Sequence, residues 1–203
     1  MIDATGLVGA VVLAAGQSRR MGQPKLLMPW GEHTVIEQVV RGLLEGGATP
    51  VIVVSGAMHE PIAAALSKWP VQVVHNPRYQ EDQMALSLQT GLATMPSEAQ
   101  AVLVALGDQP QIESSVVQAV IEAYRTSQAR LVVPSYQMRR GHPWLAARPL
   151  WTELLEQQPV PTLRDFLSAH AGEIHYLSLD TPSILQDLDT PDDYARQAPS
   201  FTK

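Results

Sequence analysis

The sequence of 203 residues contains no cysteine. It therefore cannot form a disulfide framework, a thiol nucleophile, a thiolate zinc site or a cysteine-ligated cluster. The sequence also has no apolar stretch near the roughly 20 residues that a membrane-spanning helix needs. The first residues lack the basic segment and long apolar run that are typical of a secretory signal. We therefore expect a soluble, cytoplasmic protein that does not contact a membrane.

Positive charge is also scarce. The chain has 14 lysines and arginines against 20 acidic residues, with a formal net charge of -6 and a pI near 5.4. This balance argues against a general affinity for nucleic acid or anionic membranes, so an anionic ligand must be bound by local basic groups. The length and the 45% hydrophobic content suffice for one core. We expect a single domain over residues 1–198 and a tail over 199–203.

The hydrophobic pattern predicts alternating strands and helices. Residues 8–13 form a short apolar run, half of it valine, which indicates a strand that is buried on both faces. The chain continues as β-α-β-α-β, which favours a parallel sheet with right-handed crossovers. The predicted strands cover residues 8–13, 51–54, 71–74, 101–106, 131–133, 144–146 and 174–179. The predicted helices cover residues 33–44, 60–68, 84–92, 112–124, 149–157 and 162–169, with another beginning at 190–191.

A basic loop follows the first strand. Residues 14–16, Ala-Ala-Gly, have almost no side chain, so a ligand can lie against their backbone. Arg19, Arg20 and Lys25 come within the next nine residues. In open α/β sheets ligands bind beyond the carboxyl ends of the strands. The concentration of positive charge at this position therefore predicts a polyanionic ligand, although an exposed basic turn with no ligand gives the same pattern.

Two well-known phosphate motifs do not fit this loop. A P-loop has four residues between its glycines and then Lys-Ser/Thr, whereas five residues separate Gly16 from Gly22 and Gln23-Pro24 precede Lys25. The dinucleotide pattern G-x-G-x-x-G is absent as well. A nicotinamide-dependent oxidoreductase that uses this fingerprint is therefore disfavoured.

A carboxylate follows the strand predicted at 101–106, in the sequence Gly107-Asp108-Gln109-Pro110. An acid at the edge of the sheet where Lys25 also lies can hold Mg²⁺ against phosphate oxygens. Asp108 can equally cap the next helix or shape a proline turn.

Residues 13–25 match the signature L-A-A-G-x-S-x-R-M-G-x-x-K. The chain thereby resembles the nucleotidyltransferase family with a glycosyltransferase-A-like Rossmannoid fold, which includes sugar-nucleotide pyrophosphorylases and molybdenum cofactor guanylyl- and cytidylyltransferases. The resemblance implies a three-layer α/β/α fold around a mostly parallel mixed sheet. Other matching segments are GDQP at 107–110, GHP at 141–143, T-x-R at 162–164 and DLDTPDD at 187–193. Together they look most like the molybdenum cofactor cytidylyltransferases.

The resemblance implies a set of nucleotide-binding residues around the first loop and the neighbouring strand ends. Backbone amides of the loop would surround the triphosphate. Ser87 is expected near the base, although a helix-face serine with no ligand remains the alternative. The set comprises Leu13, Ala14, Ala15, Gly16, Arg19, Gly56, Asn76, Ser87 and Gly107.

The resemblance also implies the catalytic groups. Arg19 would bind the β- and γ-phosphate oxygens, and Lys25 would bridge the α-phosphate and the attacking phosphate. Asp108 would hold Mg²⁺, the expected cofactor. Either Asp187 or Asp189 would supply a second carboxylate, and we favour Asp189.

Three further residues are expected to contact the acceptor substrate. They are His142 and Arg140, in residues 136–143 that end in GHP, and Arg164 in the T-x-R segment. A structural histidine and a solvated helix arginine remain the alternatives for His142 and Arg164. Met138 stands where the family usually has glycine.

The expected reaction transfers CMP from CTP to the phosphate of molybdopterin and releases pyrophosphate. The resemblance implies a transient contact with a molybdenum hydroxylase. A methyl group at Ala15, where the guanylyl enzymes have glycine, favours a narrower, pyrimidine-sized base pocket. The alternatives are a guanylyl- or sugar-phosphate nucleotidyltransferase and a non-catalytic molybdenum cofactor carrier.

Overall fold

The computed structural model describes residues 6–81, 83–157 and 160–199. Of the predicted tail, only Pro199 lies within these residues. The central strand, β1 (Leu7–Ala14), is buried on both faces, as its apolar run predicts. Val11 packs into the core on one face of the sheet and Val12 into the core on the other. Each fully buried side chain of this size stabilises the fold by roughly 1.5–3 kcal/mol.

The other strands of the main sheet are β4 (Val51–Ser55), β5 (Val71–His75), β6 (Ala99–Leu106), β7 (Leu131–Tyr136), β9 (Trp144–Ala147) and β10 (Ile174–Ser178). Their order is β10-β7-β9-β6-β1-β4-β5, and a two-residue strand, β8 (Arg139–Arg140), pairs with β7. Among the strands that the structure describes in this sheet, only β8 and β9 run antiparallel to their neighbours. A small separate hairpin joins β2 (Pro29–Trp30) and β3 (His33–Thr34). The mostly parallel mixed sheet is therefore confirmed.

Helices cover both faces of the sheet. The face with Val12 is covered by α1 (Val35–Glu45), α2 (His59–Ala65) and α4 (Ser114–Ser127). The opposite face is covered by α3 (Met84–Thr94), α5 (Arg148–Glu156) and α6 (Leu163–Ala169). A last helix, α7 (Pro191–Gln197), packs Tyr194 against the first of these layers. The predicted three-layer architecture is confirmed, and no helix among the described residues is long and apolar enough to cross a membrane.

The register of the central strands brings their carboxyl ends together. Ala14 of β1 pairs with Ser55 of β4, and Ser55 in turn pairs with His75 of β5. On the other side, Leu13 pairs with Leu106. The loops that follow these four strands therefore lie along one rim of the sheet.

The segment between β10 and α7 returns to the same rim. The backbone N–H of Leu188 donates to the carbonyl oxygen of Asp108 at 3.1 Å, and the Leu188 side chain is fully buried. Because Asp187 and Asp189 flank this anchor, both are held beside the loop that follows β6.

Candidate active site

A groove of about 520 Å³ opens at this rim of the sheet. Many of the residues predicted for nucleotide binding and catalysis contribute to its wall. They are Leu13, Ala14, Ala15, Gly16, Arg19, Lys25, Ser87, Asp108 and Asp189. The groove thus collects side chains from four separate parts of the sequence.

The first loop folds back on itself before it reaches Lys25. Ser18 and Gly22 have φ angles of 50° and 66°, and the Met21 N–H donates to the Ser18 carbonyl oxygen at 3.1 Å. The left-handed conformation explains the glycine at position 22. Met21 and Leu26 are buried and anchor the loop on either side of Gly22 and Lys25. These anchors fix the backbone from which Lys25 extends into the groove.

Lys25 lies between two carboxylates. Its Nζ is 2.5 Å from Oδ2 of Asp108 and 3.5 Å from Oδ1 of Asp189. Arg20 reaches the other oxygen of Asp189 at 3.0 Å. The side chains of Lys25 and Asp108 are only 13% and 19% exposed, so their attraction is less screened by water than that of a surface pair. The prediction that Lys25 and Asp108 share one rim is borne out by their contact.

Asp187 is a third carboxylate on the groove wall. It accepts a hydrogen bond of 2.6 Å from Nε2 of Gln109, which is itself buried. Partial burial of the carboxyl group, and next the negative charge of Asp108, raise the pKa of Asp187. The groove wall thus has three carboxyl groups, those of Asp108, Asp187 and Asp189, close to the positive charges of Lys25 and Arg20.

This donor set fits a divalent cation. Magnesium and manganese prefer oxygen ligands and are commonly bound by one or two carboxylates together with phosphate oxygens and water. No group of three or more histidine or acidic side chains in the described part of the chain forms a complete metal site by itself. The residues present, Asp108 with Asp187 or Asp189, therefore suit an ion that is shared with a phosphate ligand.

Three uncharged residues also line the groove. Tyr79, Gln83 and Met84 line it, and Met84 is 55% exposed. The hydrophobic pattern places Met84 at the start of a predicted helix, but neither this pattern nor the family signature assigns any of the three residues to the site. Met84 begins α3, and Tyr79 and Gln83 lie in the segment before it. Sequence spacing in such a segment does not predict the direction of a side chain.

A short series of hydrogen bonds leads to Ser87, which lines the groove. The Arg78 N–H donates to Oδ1 of the buried Asn76 at 2.9 Å, and Nδ2 of Asn76 donates to Oγ of Ser87 at 3.0 Å. Within the described residues the Ser87 hydroxyl has no protein acceptor for its own hydrogen. Ser87 lines the groove while Asn76 does not, so Asn76 would act on a ligand through Ser87.

Two of the three predicted glycines, Gly56 and Gly107, lie close to the strand and loop that form the groove. A Cβ at Gly56 would lie 2.6 Å from the Ala15 carbonyl oxygen, so only glycine lets the end of β4 approach the loop this closely. The Gly107 N–H donates to the Leu13 carbonyl oxygen at 3.0 Å and thereby ties the ends of β1 and β6 together. Neither glycine lines the groove.

The two arginines of the loop have different partners. Arg19 donates to the side-chain oxygen of Gln17 at 3.2 and 2.9 Å, whereas Arg20 reaches Asp189. Both line the groove. The arginine that directly precedes Met-Gly in the signature is Arg20. The signature therefore indicated Arg20 as a site residue, whereas the prediction assigned the phosphate contact to Arg19.

The structure does not bring the three predicted acceptor residues to the groove wall. Arg140 donates to the hydroxyl of Tyr176 at 3.0 and 2.7 Å, and Arg164 is exposed on α6. The His142 N–H donates to the Ile184 carbonyl oxygen at 3.1 Å, and burial lowers the pKa of its ring to about 4. Their role in acceptor binding stays a prediction.

Residues 10–174 match the family model described as a MobA-like NTP transferase domain. The chain is 24% identical to the molybdenum cofactor cytidylyltransferase of Escherichia coli (strain K12), over 97% of this chain and 98% of the relative. It is also 31% identical to nicotine blue oxidoreductase of Paenarthrobacter nicotinovorans, over 67% of this chain and 69% of the relative.

A solved structure shares the architecture. The Rv0371c protein of Mycobacterium tuberculosis H37Rv, determined in complex with manganese, superposes with a TM-score of 0.73 at 28% identity. The match covers 94% of this chain and 97% of that chain.

Proposed function

Because the chain belongs to the MobA-like NTP transferase family, and so to the nucleotidyltransferases, we propose that it transfers CMP from CTP to the phosphate of molybdopterin, releasing pyrophosphate. The observation that supports this most strongly is the position of Lys25. Its ammonium group lies at the carboxylates of the rim, next to a loop whose backbone is open to a triphosphate.

The reaction needs no side-chain nucleophile. An oxygen of the acceptor phosphate attacks the α-phosphorus of the triphosphate, a new P–O bond forms, and the bond to the β-phosphate breaks. Since the attacking oxygen is already anionic, no strong base is required. The protein must hold the reacting groups in line and stabilise the charge that develops on the phosphates.

The residues of the groove suit these tasks. Backbone N–H groups of Ala15 and Gly16 would bind the triphosphate, and Arg19 and Arg20 would bind its β- and γ-oxygens. Lys25 would bind the α-phosphate and the approaching acceptor phosphate. A magnesium ion held by Asp108 and Asp189 would supply further charge neutralisation at the phosphate oxygens.

Three observations support CTP and a molybdopterin acceptor. The similarity to the Escherichia coli enzyme spans nearly the whole of both chains. Ala15 lies on the groove wall, where its methyl group would narrow the space for a base if the base binds beside it. The groove is also large enough for a nucleotide, since small-molecule sites are typically 300–1,000 Å³.

The acceptor is proposed to contact the GHP and T-x-R segments, with His142, Arg140 and Arg164 as candidate contacts. Because these residues do not line the groove as it stands, acceptor binding would require them to move or the acceptor to extend beyond it. Delivery of the product to a molybdenum hydroxylase is part of the same proposal.

An oxidoreductase is the second candidate, and the 31% identity to nicotine blue oxidoreductase favours it. That similarity covers only about two thirds of each chain, and the dinucleotide fingerprint is absent from the first loop. NAD(P)H binding by the purified protein, measured by fluorescence, together with no pyrophosphate release, is the outcome that would favour this candidate.

The proposal is tested by following pyrophosphate release from each of the four nucleoside triphosphates in the presence of Mg²⁺ and molybdenum-loaded molybdopterin. We expect release with CTP. Release with GTP alone would indicate a guanylyltransferase, and release only with a sugar phosphate as acceptor would indicate a sugar-nucleotide enzyme. Tight binding of molybdopterin without any release would indicate a cofactor carrier.

A further inference from the structure

Lys25 occupies the space between the acids that suit a metal ion. Its ammonium nitrogen is within 3.5 Å of a carboxylate oxygen on each of two chain segments, those of Asp108 and Asp189. Divalent cations bind carboxylate oxygens at about 2.0–2.6 Å. An ammonium group this close to Asp108 and a metal ion bound to the same oxygen therefore compete for one position.

The loop holds the backbone of Lys25 in place. Leu26, the next residue, is buried, and Lys25 itself begins a short helical turn in which its carbonyl oxygen accepts from the Met28 N–H. The side chain is only 13% exposed. Lys25 is therefore a fixed counter-ion rather than a surface lysine that samples many positions.

The neighbouring charges favour this state while no ligand is bound. Asp187 also faces the groove, and Asp108 and Asp189 are the acids nearest Lys25. Arg20 also contacts Asp189, but it is 71% exposed and does not contact Asp108. Lys25 thus supplies the positive charge that offsets Asp108.

We infer that Lys25 excludes free divalent cations from the groove until a triphosphate draws its ammonium group away. Phosphate oxygens provide new acceptors for the ammonium, and the released carboxylate can then bind the ion. Nucleotide and metal consequently bind as a pair, and each increases the affinity for the other. This inference rests on the proposed phosphate-binding role of Lys25.

The test measures Mn²⁺ binding to the nucleotide-free protein by electron paramagnetic resonance, which detects the free ion. We expect the affinity of the Lys25→Met variant to exceed that of the unaltered protein at least about tenfold, because a unit positive charge has left the carboxylates. Arg19→Met is the matched control. It removes the same charge from the groove wall at a residue that contacts Gln17 instead of the acids, and we expect a change below about threefold.

A second readout protects against misfolded variants. The thermal midpoint of Lys25→Met should rise more on addition of Mn²⁺ than that of the unaltered protein, because the ion relieves the repulsion between the acids. In the double variant Lys25→Met with Asp108→Asn the gain in Mn²⁺ affinity should disappear.

Three results would overturn the inference. They are an equal or weaker Mn²⁺ affinity in Lys25→Met, an equal gain in Arg19→Met, and a gain that survives the Asp108→Asn change. The assay contains neither nucleotide nor acceptor. It can therefore fail while pyrophosphate release is normal, and it can succeed in a protein that does not transfer CMP.

Discussion

Lys25 bonds to acids that lie 83 and 164 positions further along the chain. A lysine ammonium is a compact charge on a flexible stem, so we expect Lys25 to follow a phosphate oxygen in the proposed reaction. Its separation from Asp108 in the sequence means that the contact exists only in the folded chain. The charged surroundings of Lys25 are therefore a property of the whole fold and not of the loop alone.

Replacing Lys25 with alanine should lower the turnover number by roughly a hundredfold to a thousandfold, because charge on the transferring phosphate loses its partner. The KM for the nucleotide should change much less. Pyrophosphate release under saturating CTP is the measurement. Lys68→Ala, which alters an exposed lysine outside the groove, serves as the control. Turnover that is unaltered in Lys25→Ala would contradict the assigned role.

The hydrogen bond from Asn76 to Ser87 leads to a separate prediction. Ser87→Ala should raise the KM for CTP several-fold with a smaller effect on turnover, because the groove loses a donor near the base. Asn76→Ala should raise the same KM and also lower the free energy of unfolding by about 1–3 kcal/mol, since buried polar groups lose their partner. Steady-state kinetics and urea denaturation measure the two effects. Ser97→Ala, at an exposed serine, should change neither.

The pH dependence of stability should reflect His142. Burial lowers the pKa of its ring from 6.5 to about 4, so the folded chain keeps the ring neutral where the unfolded chain takes up a proton. Stability contributed by the neutral ring is thus present above about pH 6.5 and is lost as the pH falls toward about 4. The loss is on the order of 3 kcal/mol near the lower limit.

Urea denaturation between pH 4 and 7 measures this effect. In His142→Gln the dependence over that window should weaken, whereas His175→Gln, at an exposed ring, should retain it. An unchanged pH dependence in His142→Gln would show that other groups cause the acid sensitivity.

At the level of elements, two helices begin with the same device. Thr34 accepts from the Glu37 N–H at the start of α1 while Glu37 accepts from the Thr34 N–H, and Thr190 and Asp193 do the same at the start of α7. Such capping boxes satisfy backbone donors that a helix end leaves free. Only the second of them directly follows a residue of the groove, Asp189.

Thr190→Ala should therefore affect more than stability. We expect a loss of about 1 kcal/mol in the free energy of unfolding, which is typical for a lost cap, together with a lower turnover number because Asp189 is held less firmly. Thr34→Ala is the matched variant, with a similar loss of stability and unchanged turnover. If both variants lower turnover equally, the cap of α7 has no special effect on Asp189.

The sequence predicts most helices and strands because their hydrophobic patterns extend over several residues. Strands such as β1 and helices such as α1 agree with their predictions to within about two residues. The hairpin of Pro29–Trp30 and His33–Thr34 was not predicted, because two-residue strands contain no period to detect. In β7 the apolar run stops at Val133, but the strand continues through Pro134 and Ser135 to Tyr136.

The site was predictable where a chemical group follows a strand. Lys25 and Asp108 follow β1 and β6, and the common direction of parallel strands places them at one rim. Gln109 and Tyr79 were not predictable in this way, because their role depends on side-chain direction within irregular segments. The contact of Asp189 with Lys25 likewise depends on how the chain returns after β10.

For the molecule as a whole, the order of the strands places β1 near the middle of the sheet. The sheet separates two hydrophobic cores, one on each face. The half of the sheet built from β7, β9 and β10 does not contribute to the groove wall directly. The C-terminal segment connects this half of the sheet to the rim. Within that segment Ile184 packs against Gly141, and Leu188 bonds to Asp108 at the rim. The Gly141 N–H donates to the Pro134 carbonyl oxygen, and the neighbouring His142 N–H donates to Ile184.

Gly141→Ala should disturb this connection. A Cβ there would lie 2.5 Å from the Ile184 carbonyl oxygen, so the backbone must shift. We expect a loss of about 1–3 kcal/mol in the free energy of unfolding, as for other overpacked sites. Urea denaturation is the measurement. Gly172→Ala, where a Cβ meets nothing within 4 Å, should alter stability by less than about 0.5 kcal/mol. Equal stability of both variants would contradict the tight packing at Gly141.

The late position of Asp189 also matters during translation. A ribosome releases Lys25 and Asp108 long before it has synthesised the segment that contains Asp187 and Asp189. Nascent chains that stall before this segment lack two of the three acids of the rim, even if their central strands have already paired. Only polypeptides synthesised through this segment therefore acquire the full set of acids, so a truncated chain that ends before Asp187 lacks carboxylates that the proposed metal site needs.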